Sequence, residues 1–308
     1  MSTKYDNVYD LARALLSERL VSADEPMSRH TSFRIGGPAE AYATPETIEQ
    51  FTLMWNSCRI HKIPVTIMGD GCNVLVSDDG IKGLVISTRR MNSMIIDKDR
   101  HRIYADSGVK LSHLADAACK AGLGGLEFAS GIPGTVGGAV YMNAGAFGRE
   151  MKDVCHRIEA YKPNAGKTTY PNMDTTFSYR TSIFQTNDEI ITHVVFQLYP
   201  DSPETIKATM TDLNTRRRNS QPLSRPSAGS TFKRPAVEGM YASKMIDDHG
   251  LKGYTIGGAQ VSEKHAGFVI NTGSATAADV LALIKHIQET IHNSTGIWLE
   301  PEVQMLGF

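Results

Sequence analysis

Nine glycines crowd the 27 residues from Gly122 to Gly148, and this feature constrains the chain most. Glycine makes up 27 of the 308 residues, so an even spread would place only about two of them in such a window. Because glycine loses the most conformational entropy on folding, a folded domain concentrates it where positive φ or a close backbone approach requires it. Apolar residues such as Leu126, Phe128 and Val136 alternate with the glycines, which argues against a disordered linker. The segment therefore predicts a folded region whose backbone passes close to another backbone or a ligand.

A second glycine turn, Gly69–Asn73, follows the apolar run Pro64–Met68. A dinucleotide-binding fingerprint would need a third glycine and a following helix, but Val74 stands at that position and opens another apolar run. The sequence also lacks the glycine-rich lysine motif of nucleoside triphosphatases. Successive backbone N–H groups in such turns bind anions. The two turns, Gly69–Asn73 and Gly131–Gly138, therefore predict a site that holds a diphosphate from opposite sides.

Charge and composition exclude several classes of protein. Lys and Arg total 32 against 33 Asp and Glu, so no basic excess indicates nucleic-acid binding. No apolar run approaches the roughly 18 residues that a membrane span needs, and the first residues lack the pattern of a secretion signal. The four cysteines share no metal-ligand spacing. We expect a cytoplasmic protein with no bound metal, no nucleic-acid or membrane partner, and no obligate protein partner.

The order of apolar patterns predicts an α+β fold rather than a regular βαβ repeat. A polar connection over Asn219–Ser227 predicts a domain boundary, and the spacing of Thr276 and Asp279 predicts a capping box at the start of the last helix. Helices are predicted over residues 8–20, 47–61, 111–121, 203–218, 241–248 and 275–292. Strands are predicted over residues 32–39, 64–68, 74–76, 84–87, 94–96, 154–160, 189–198, 268–271 and 297–300.

Seven motifs, in order from Ser32 to Gly307, resemble the UDP-N-acetylenolpyruvoylglucosamine reductase family in its compact second type. They are Phe33–Ala39, Gly69–Val76, Gly131–Gly148, Tyr179–Phe184, Pro226–Lys233, Gly250–Ala259 and Leu299–Gly307. The resemblance implies an FAD-binding fold of the vanillyl-alcohol-oxidase type (PCMH-type), made of two α+β subdomains, and a smaller α+β substrate-binding domain. It also implies non-covalent FAD, NADPH as electron donor, and reduction of an enolpyruvyl-UDP-sugar for peptidoglycan precursor synthesis.

The resemblance also implies a division of the chain. An N-terminal helical segment covers residues 1–30, and the FAD-binding region covers 31–202, with subdomains at about 31–88 and 89–202. The substrate-binding domain covers 203–308, and its terminal strand, 297–308, brings Glu302 to the active site.

The reaction requires stabilisation of an enolate and donation of one proton. The family pattern gives Arg180, Ser230 and Glu302 as catalytic residues. An arginine holds a carboxylate in bidentate fashion, and burial of a carboxyl raises its pKa so that it donates a hydrogen bond. Strand alternation places Glu300 on the same face as Glu302, so the residues alone leave both open, and the family pattern selects Glu302.

Two further sets of residues follow from the same resemblance. Residues expected to bind the cofactor are Arg34, Gly69, Asp70, Gly71, Cys72, Asn73, Gly131, Ile132, Pro133, Gly134, Gly137, Gly138, Ala139 and Asn143. Residues expected to bind the substrate are Tyr179, Arg217, Lys233 and Arg234. The chain departs from the family pattern at three positions: Cys72 replaces a serine, Ser220 a lysine and Arg234 an asparagine.

Two other functions fit the same motifs. One is a flavin oxidase of the same cofactor fold that acts on an alcohol or a sugar with oxygen as acceptor. The other is a non-catalytic nucleotide-binding protein, which the set Arg180, Ser230 and Glu302 disfavours.

Overall fold

A computed structural model describes residues 7–163, 165–171, 176–237 and 239–308. Residues 1–6 of the predicted segment 1–30 lie outside the described residues. The helices are α1 (Val8–Leu15), α2 (Ile48–Ile60), α3 (Leu111–Ala121), α4 (Val136–Tyr141), α5 (Pro203–Ser220), α6 (Ala242–Asp248) and α7 (Ala277–Thr295). The first ten strands are β1 (Val21–Pro26), β2 (Pro38–Ala43), β3 (Val65–Met68), β4 (Val74–Val76), β5 (Ile81–Ser87), β6 (Met94–Asp97), β7 (Arg102–Asp106), β8 (Leu123–Gly124), β9 (Gly145–Ala146) and β10 (Arg149–Glu150). The others are β11 (Cys155–Lys162), β12 (Gly166–Tyr170), β13 (Phe177–Ser178), β14 (Thr181–Ser182), β15 (Ile190–Gln197), β16 (Tyr199–Pro200), β17 (Thr255–Ile256), β18 (Ala259–Val261), β19 (Val269–Asn271) and β20 (Gln304–Leu306).

The chain forms two compact units, each made of three segments. The first unit contains residues 1–23, 41–70 and 83–217, and the second contains residues 24–40, 71–82 and 218–308. Two short segments of the N-terminal half therefore belong to the unit of the C-terminal residues. The two compact units do not show which residues bind the cofactor and which bind the substrate. The predicted boundary between the FAD-binding region (31–202) and the substrate-binding domain (203–308) therefore stays a prediction.

The first unit has two hydrophobic cores, each beside a β-sheet. A five-stranded sheet has the order β12-β11-β15-β7-β6, with antiparallel neighbours throughout. Leu111 and Leu114 of α3 belong to the core that includes Ile103 of β7 and Phe196 of β15. The other sheet has the order β1-β2-β5-β3, and α1 and α2 contribute to its core.

Local sequence explains where the helices of this unit begin and end. Thr47 caps α2 by accepting a hydrogen bond from the Gln50 N–H through its side chain. Helix α3 ends at Gly122, whose φ of +73° is the left-handed conformation that favours glycine. The predicted helix over 111–121 is confirmed residue for residue. The predicted helix over 8–20 is too long, because α1 ends at Leu15 and a separate 3₁₀ turn covers Glu18–Leu20.

The second unit packs α6 and α7 with the antiparallel sheet β17-β18-β19 and with β20, which pairs in parallel with β4. The predicted capping box of α7 is confirmed, because the side chains of Thr276 and Asp279 each accept a backbone N–H of the other residue. The carboxylate of Asp78, about 200 residues earlier, accepts the N–H groups of Ala277 at 2.8 Å and Ala278 at 3.0 Å. The start of α7 therefore has acceptors for several N–H groups that the helix leaves unpaired.

Two predicted strands are wrong. Residues 32–37 form turns and loop, and the strand begins at Pro38, because Arg34 has φ +56° and Thr31 Oγ1 donates to the Ile35 carbonyl at 2.9 Å. The alternation of Phe33 and Ile35 reflects burial of a loop in the second core. Residues 297–300 are also not a strand.

The backbone of residues 299–301 is held by a side-chain hydrogen bond and an isolated bridge rather than by a sheet. The Gln288 amide donates to the Leu299 carbonyl at 2.8 Å, and Pro301 forms an isolated antiparallel bridge with Phe232. Only Gln304–Leu306 forms a strand. Because Glu300 and Glu302 do not lie in a regular strand, strand alternation does not place them on the same face.

Candidate functional site

The cleft of the first unit lies between its two glycine turns. It has a volume of about 260 Å³ and is lined by Asp70 from the end of β3 and by the turn Ser130–Gly134 that precedes α4. Lys110 and Ser112, at the start of α3, complete the lining. Asp70 of the first turn and Gly131–Gly134 of the second thus line one cleft, and the diphosphate site predicted there stays a prediction.

Glycine is required where the two turns meet. A Cβ at Gly69 would stand 2.3 Å from Thr135 Oγ1, and a Cβ at Gly137 would stand 2.8 Å from the Cβ of Ser107. Hydrogen bonds from the Gly137 N–H to the Ser107 carbonyl at 2.8 Å and from the Leu111 N–H to the Gly134 carbonyl at 3.0 Å tie the Gly131–Gly138 turn to residues 107–111. The glycines therefore serve close packing of backbone and side chains at the cleft.

Two buried hydroxyl groups at this approach lack a hydrogen-bond partner. Ser107 and Thr135 are each 1% exposed, and neither Oγ atom has a partner among the described residues. A buried hydroxyl without a partner is costly and is rare in folded proteins. Their place beside the glycine turns fits a ligand rich in acceptor oxygens, such as the diphosphate of a flavin dinucleotide. Sequence reasoning missed both residues: Thr135 stands inside the glycine run, but Ser107 carries no signal of its own.

Among the described residues, the one carboxylate that lines the cleft is compensated by an arginine. This carboxylate, of Asp70, pairs with Arg89 at 2.8 Å between Oδ1 and Nε. Arg217 of α5 packs on Gly131, because a Cβ there would stand 3.2 Å from the Arg217 Cδ. Burial lowers the pKa of the Arg217 guanidinium. Arg217, expected to bind the substrate, therefore packs in this unit against the turn expected to bind the cofactor.

Arg180 occupies the loop of a tight hairpin in the first unit. β13 and β14 pair Phe177 with Ser182 and Ser178 with Thr181, which leaves Tyr179 and Arg180 as a two-residue loop. Arg180 has φ +53°. Its guanidinium donates to the Gly145 carbonyl at 3.0 Å and lies 5.1 Å from the centre of the Tyr179 ring.

Asn143, which is expected to bind the cofactor, is 0% exposed, and its side chain bonds backbone groups of its own unit. Its Nδ2 donates to the Ser178 carbonyl at 3.0 Å, and its Oδ1 accepts from the Lys152 N–H at 3.0 Å. Both ends of the amide are engaged in holding the backbone.

In the second unit, Glu302 lies beside the segment that carries Ser230. The Glu302 N–H donates to the Thr231 carbonyl at 2.8 Å, and Ser230, the residue before Thr231, is exposed while Glu302 is half-buried. The Asn73 amide donates to the Glu302 carbonyl at 3.1 Å. Glu302, the Ser230 segment and Asn73 are thus grouped on one side of this unit.

Glu300 differs from Glu302 in its surroundings. Its carboxylate pairs with the Lys233 ammonium at 2.5 Å and its side chain is 69% exposed. Lys233 also donates its backbone N–H to the Glu300 carbonyl at 2.9 Å. Arg234, the next residue, stacks with its guanidinium carbon 4.4 Å from the centre of the Tyr241 ring.

The remaining cofactor residues fall in both units. Gly71, Cys72, Asn73 and Arg34 belong to the second unit. A Cβ at Gly71 would stand 2.0 Å from the His30 carbonyl oxygen, and the Ser32 N–H donates to the Gly71 carbonyl at 3.0 Å. The loop before Arg34 therefore packs on the Gly71 turn. Ile132 and Pro133 line the cleft, and Gly138 and Ala139 lie in α4.

The described residues contain neither a metal-binding cluster nor a membrane-spanning helix. No group of three or more His, Cys, Asp or Glu side chains in this part of the chain is arranged to hold a metal ion. Across residues 7–163, 165–171, 176–237 and 239–308, no helix combines the length and apolar character of a membrane span.

Two family models match the chain. One, described as an FAD binding domain, matches residues 39–169, and the other, described as the C-terminal domain of UDP-N-acetylenolpyruvoylglucosamine reductase, matches residues 221–306. The first covers the cleft with Ser107 and Thr135, and the second covers Ser230 and Glu302.

Full-length relatives and solved structures agree with these matches. The UDP-N-acetylenolpyruvoylglucosamine reductase of Caldanaerobacter subterraneus is 47% identical over 298 residues, which are 97% of this chain and 97% of that protein. That of Syntrophomonas wolfei is 43% identical over 98% of this chain and 99% of its own. The crystal structure of the Thermus caldophilus reductase superposes with a TM-score of 0.77 at 34% identity, over 91% of this chain and 97% of that chain.

A more distant structure shows the fold alone. Alkyldihydroxyacetonephosphate synthase matches with a TM-score of 0.50 and 14% identity, over 64% of this chain and 41% of that one. The predicted α+β fold of the vanillyl-alcohol-oxidase type is confirmed by this likeness together with the FAD binding domain match. With near-complete coverage at more than 40% identity, the chain belongs to the UDP-N-acetylenolpyruvoylglucosamine reductase family.

Proposed function

We propose that this chain reduces the enolpyruvyl group of UDP-N-acetylglucosamine enolpyruvate to give UDP-N-acetylmuramate, with non-covalent FAD and with NADPH as electron donor. The observation that carries the proposal is the pair of unpartnered buried hydroxyls, Ser107 and Thr135, which lie against Gly137 and Gly69 next to the glycine-lined cleft. That cleft lies within the residues that match the FAD binding domain. Relatives that carry the reductase name over nearly their whole length supply the reaction class.

The residues of the cleft would hold the dinucleotide. When bound, FAD supplies hydride transfer between NADPH and the carbon of the substrate. The unpartnered hydroxyls of Ser107 and Thr135 would serve as donors to the diphosphate, and Lys110 would add a positive charge at the lining. Arg89 compensates the charge of Asp70, so the carboxylate does not oppose a bound anion.

Three residues act on the enolpyruvyl group in this proposal. Hydride addition to the double bond places negative charge on the adjacent carboxylate as an enolate, and a proton must then reach the neighbouring carbon. Arg180 binds that carboxylate and stabilises the developing charge. Ser230 donates the proton, and Glu302 hydrogen-bonds to the enolate in its protonated form.

The surroundings of the two glutamates favour Glu302 for the acid role. Glu300 is exposed and paired with Lys233. Glu302 is half-buried and its backbone is fixed by Thr231 and Asn73. A carboxyl withdrawn from water is the one whose protonated form burial favours.

Four residues are proposed to bind the remainder of the substrate: Tyr179, Arg217, Lys233 and Arg234. Tyr179 is 48% exposed beside Arg180. Lys233 and Arg234 follow the Ser230 segment directly, so they are suited to the diphosphate of the nucleotide sugar.

A cytoplasmic location and action without an obligate protein partner are also part of the proposal. None of the four cysteines forms a disulfide, and three of them are buried. Free thiols are typical of a reducing compartment.

The two half-reactions, followed separately without oxygen, test this function. NADPH should bleach the flavin absorbance, and the enolpyruvyl-UDP-sugar should then restore it rapidly. Ser230→Ala should leave the first step within about twofold and slow the second by roughly three orders of magnitude or more, as for loss of a general acid. Ser224→Ala, an exposed serine of the preceding connection, is the matched control and should change neither step.

Three results would contradict parts of the proposal. Equal slowing of both steps by Ser230→Ala would remove the serine from its role as proton donor. Restoration of flavin absorbance by oxygen but not by the enolpyruvyl-UDP-sugar would indicate a flavin oxidase. Purified protein that binds no flavin would indicate a non-catalytic nucleotide-binding protein.

A further inference from the structure

The backbone conformation of Arg180 is unusual for its residue type. Arg180 is the second of two loop residues in the hairpin formed by β13 and β14, and it has φ +53° whereas Tyr179 does not have a positive φ. A positive φ at this position of a turn normally selects glycine. Such a conformation persists in a non-glycine residue only where the surroundings enforce it, and these residues cluster at functional sites.

The side chain of Gln185 holds this loop from one side. Its Nε2 donates to the Arg180 carbonyl at 3.2 Å and to the Tyr141 carbonyl at 2.9 Å. The Ser182 hydroxyl, from β14, donates to the same Tyr141 carbonyl at 2.7 Å. The loop is therefore tied to the end of α4, the helix that begins beside Thr135 at the cleft.

The side chain of Asn143 holds the hairpin from the other side. Its Nδ2 donates to the carbonyl of Ser178, two residues before Arg180, and its Oδ1 accepts a hydrogen bond from the Lys152 N–H. Asn143 also has a positive φ of 42°, a conformation that asparagine tolerates better than most residues. The guanidinium itself rests on the Gly145 carbonyl, two residues further along the same segment.

We propose that Gln185 and Asn143 are positioning residues, which hold the Arg180 loop in its left-handed conformation and so fix the direction of the guanidinium. The proposal rests on the proposed role of Arg180 in binding the substrate carboxylate. Neither residue reaches the substrate in this scheme. Each acts through Arg180, because both engage backbone carbonyls of the hairpin.

The test uses the holoenzyme of Gln185→Leu, which keeps the approximate size of the side chain and removes the hydrogen bonds that Nε2 donates to the Tyr141 and Arg180 carbonyls and to the Met142 sulfur. Restoration of flavin absorbance by the enolpyruvyl-UDP-sugar should slow about 10- to 100-fold, as expected when a binding group is misplaced by about 1 Å. Reduction of the flavin by NADPH should stay within about twofold. Thr186→Val is the matched control, since this exposed neighbour bonds only the Ile183 carbonyl of its own turn, and both steps should be unchanged.

A double-mutant cycle with Arg180→Ala separates positioning from a general structural effect. If Gln185 acts through Arg180, Gln185→Leu adds less than about twofold slowing in the Arg180→Ala background. The same slowing in both backgrounds would overturn the proposal. If Arg180→Ala slows reoxidation of the flavin by the enolpyruvyl-UDP-sugar and Gln185→Leu does not, the positioning role is refuted and the proposed role of Arg180 stands. If Arg180→Ala does not slow this step, the proposed role of Arg180 itself is refuted.

A second variant covers loss of folding. If Gln185→Leu does not yield folded holoenzyme, Gln185→Glu keeps the size and polarity of the side chain and replaces the donor by an acceptor that faces two carbonyl groups. It should show the same selective slowing and the same dependence on Arg180. A normal rate of flavin reoxidation in folded Gln185→Glu would refute the positioning role.

Discussion

Replacement of Thr135 by valine should change the apoprotein and the holoenzyme in opposite directions. Valine has nearly the shape of threonine but lacks the hydroxyl, which in this structure is buried without a partner. An unsatisfied buried polar group costs about 1–3 kcal/mol. Its removal should therefore raise the free energy of unfolding of the apoprotein by about 1 kcal/mol.

The same change should weaken the binding of FAD. A hydrogen bond to a charged group contributes about 1.5–3 kcal/mol, and each 1.4 kcal/mol is a factor of about ten in the dissociation constant. The Kd for FAD should rise by roughly 10- to 100-fold. Urea unfolding of the apoprotein gives the first quantity, and quenching of flavin fluorescence on titration gives the second.

Thr192 supplies the matched control, because it is equally a buried threonine of the first unit but its hydroxyl has a partner. Thr192 Oγ1 donates to the Glu159 carbonyl at 3.0 Å, so Thr192→Val should destabilise the apoprotein by about 1–2 kcal/mol and leave the Kd for FAD unchanged. If Thr135→Val destabilises the apoprotein as Thr192→Val does, or binds FAD as tightly as the parent chain, the reasoning about the cleft is refuted.

Three further predictions concern other groups. Gly69→Ala should give protein that is purified with little FAD, as measured by its absorbance, because the new Cβ would stand 2.3 Å from Thr135 Oγ1; full FAD content would contradict this. A hydrogen bond from the Thr276 backbone N–H lowers the pKa of the Asp279 carboxyl, so its contribution to stability is present above the unfolded pKa of about 3.9 and is lost as the pH falls through the folded pKa. Asp279→Asn should be less stable at pH 7 and should lose less stability on acidification below about pH 4, which urea titrations at both pH values would reveal or exclude. Cys72, the one cysteine that is not buried, should react with iodoacetamide before the other three, and bound FAD should slow that reaction; peptide mass spectrometry would detect a different order.

Local patterns predicted the parts of the fold whose cause is local. Helix α3 follows from the spacing of Leu111 and Leu114 and from the stop signal of Gly122, and the start of α7 follows from Thr276 and Asp279. The glycine cluster predicts the close packing that is found beside the cleft. In each case the signal and the structure it specifies lie within a few residues.

Other parts depend on contacts between distant residues. Phe33 and Ile35 alternate as in a strand, but burial of a loop explains them equally well. Residues 297–300 are apolar, yet their backbone is satisfied by the Gln288 side chain rather than by a sheet. The period of apolar residues reports burial, and burial alone does not distinguish a strand from a packed loop.

In the candidate site, too, some residues have a local sequence signal and others do not. The two glycine turns were predictable, because glycine marks close approach. Ser107 was not, because only the three-dimensional structure shows that its hydroxyl is buried beside Gly137 without a partner. The motif of Asn143 predicts a cofactor ligand, but only the three-dimensional structure shows its hydrogen bond to the Ser178 carbonyl in the Arg180 hairpin.

The three-segment composition of the second unit has a consequence for synthesis of the chain on the ribosome. Phe33 and Leu75 belong to a core whose other members come mostly from residues 228–303. At about 5–20 residues per second, the segments 24–40 and 71–82 wait roughly ten to fifty seconds after their own translation before the last residues of that core are made. During this interval their apolar side chains lack their native cover, so the nascent chain is exposed to chaperones and to aggregation until translation is nearly complete.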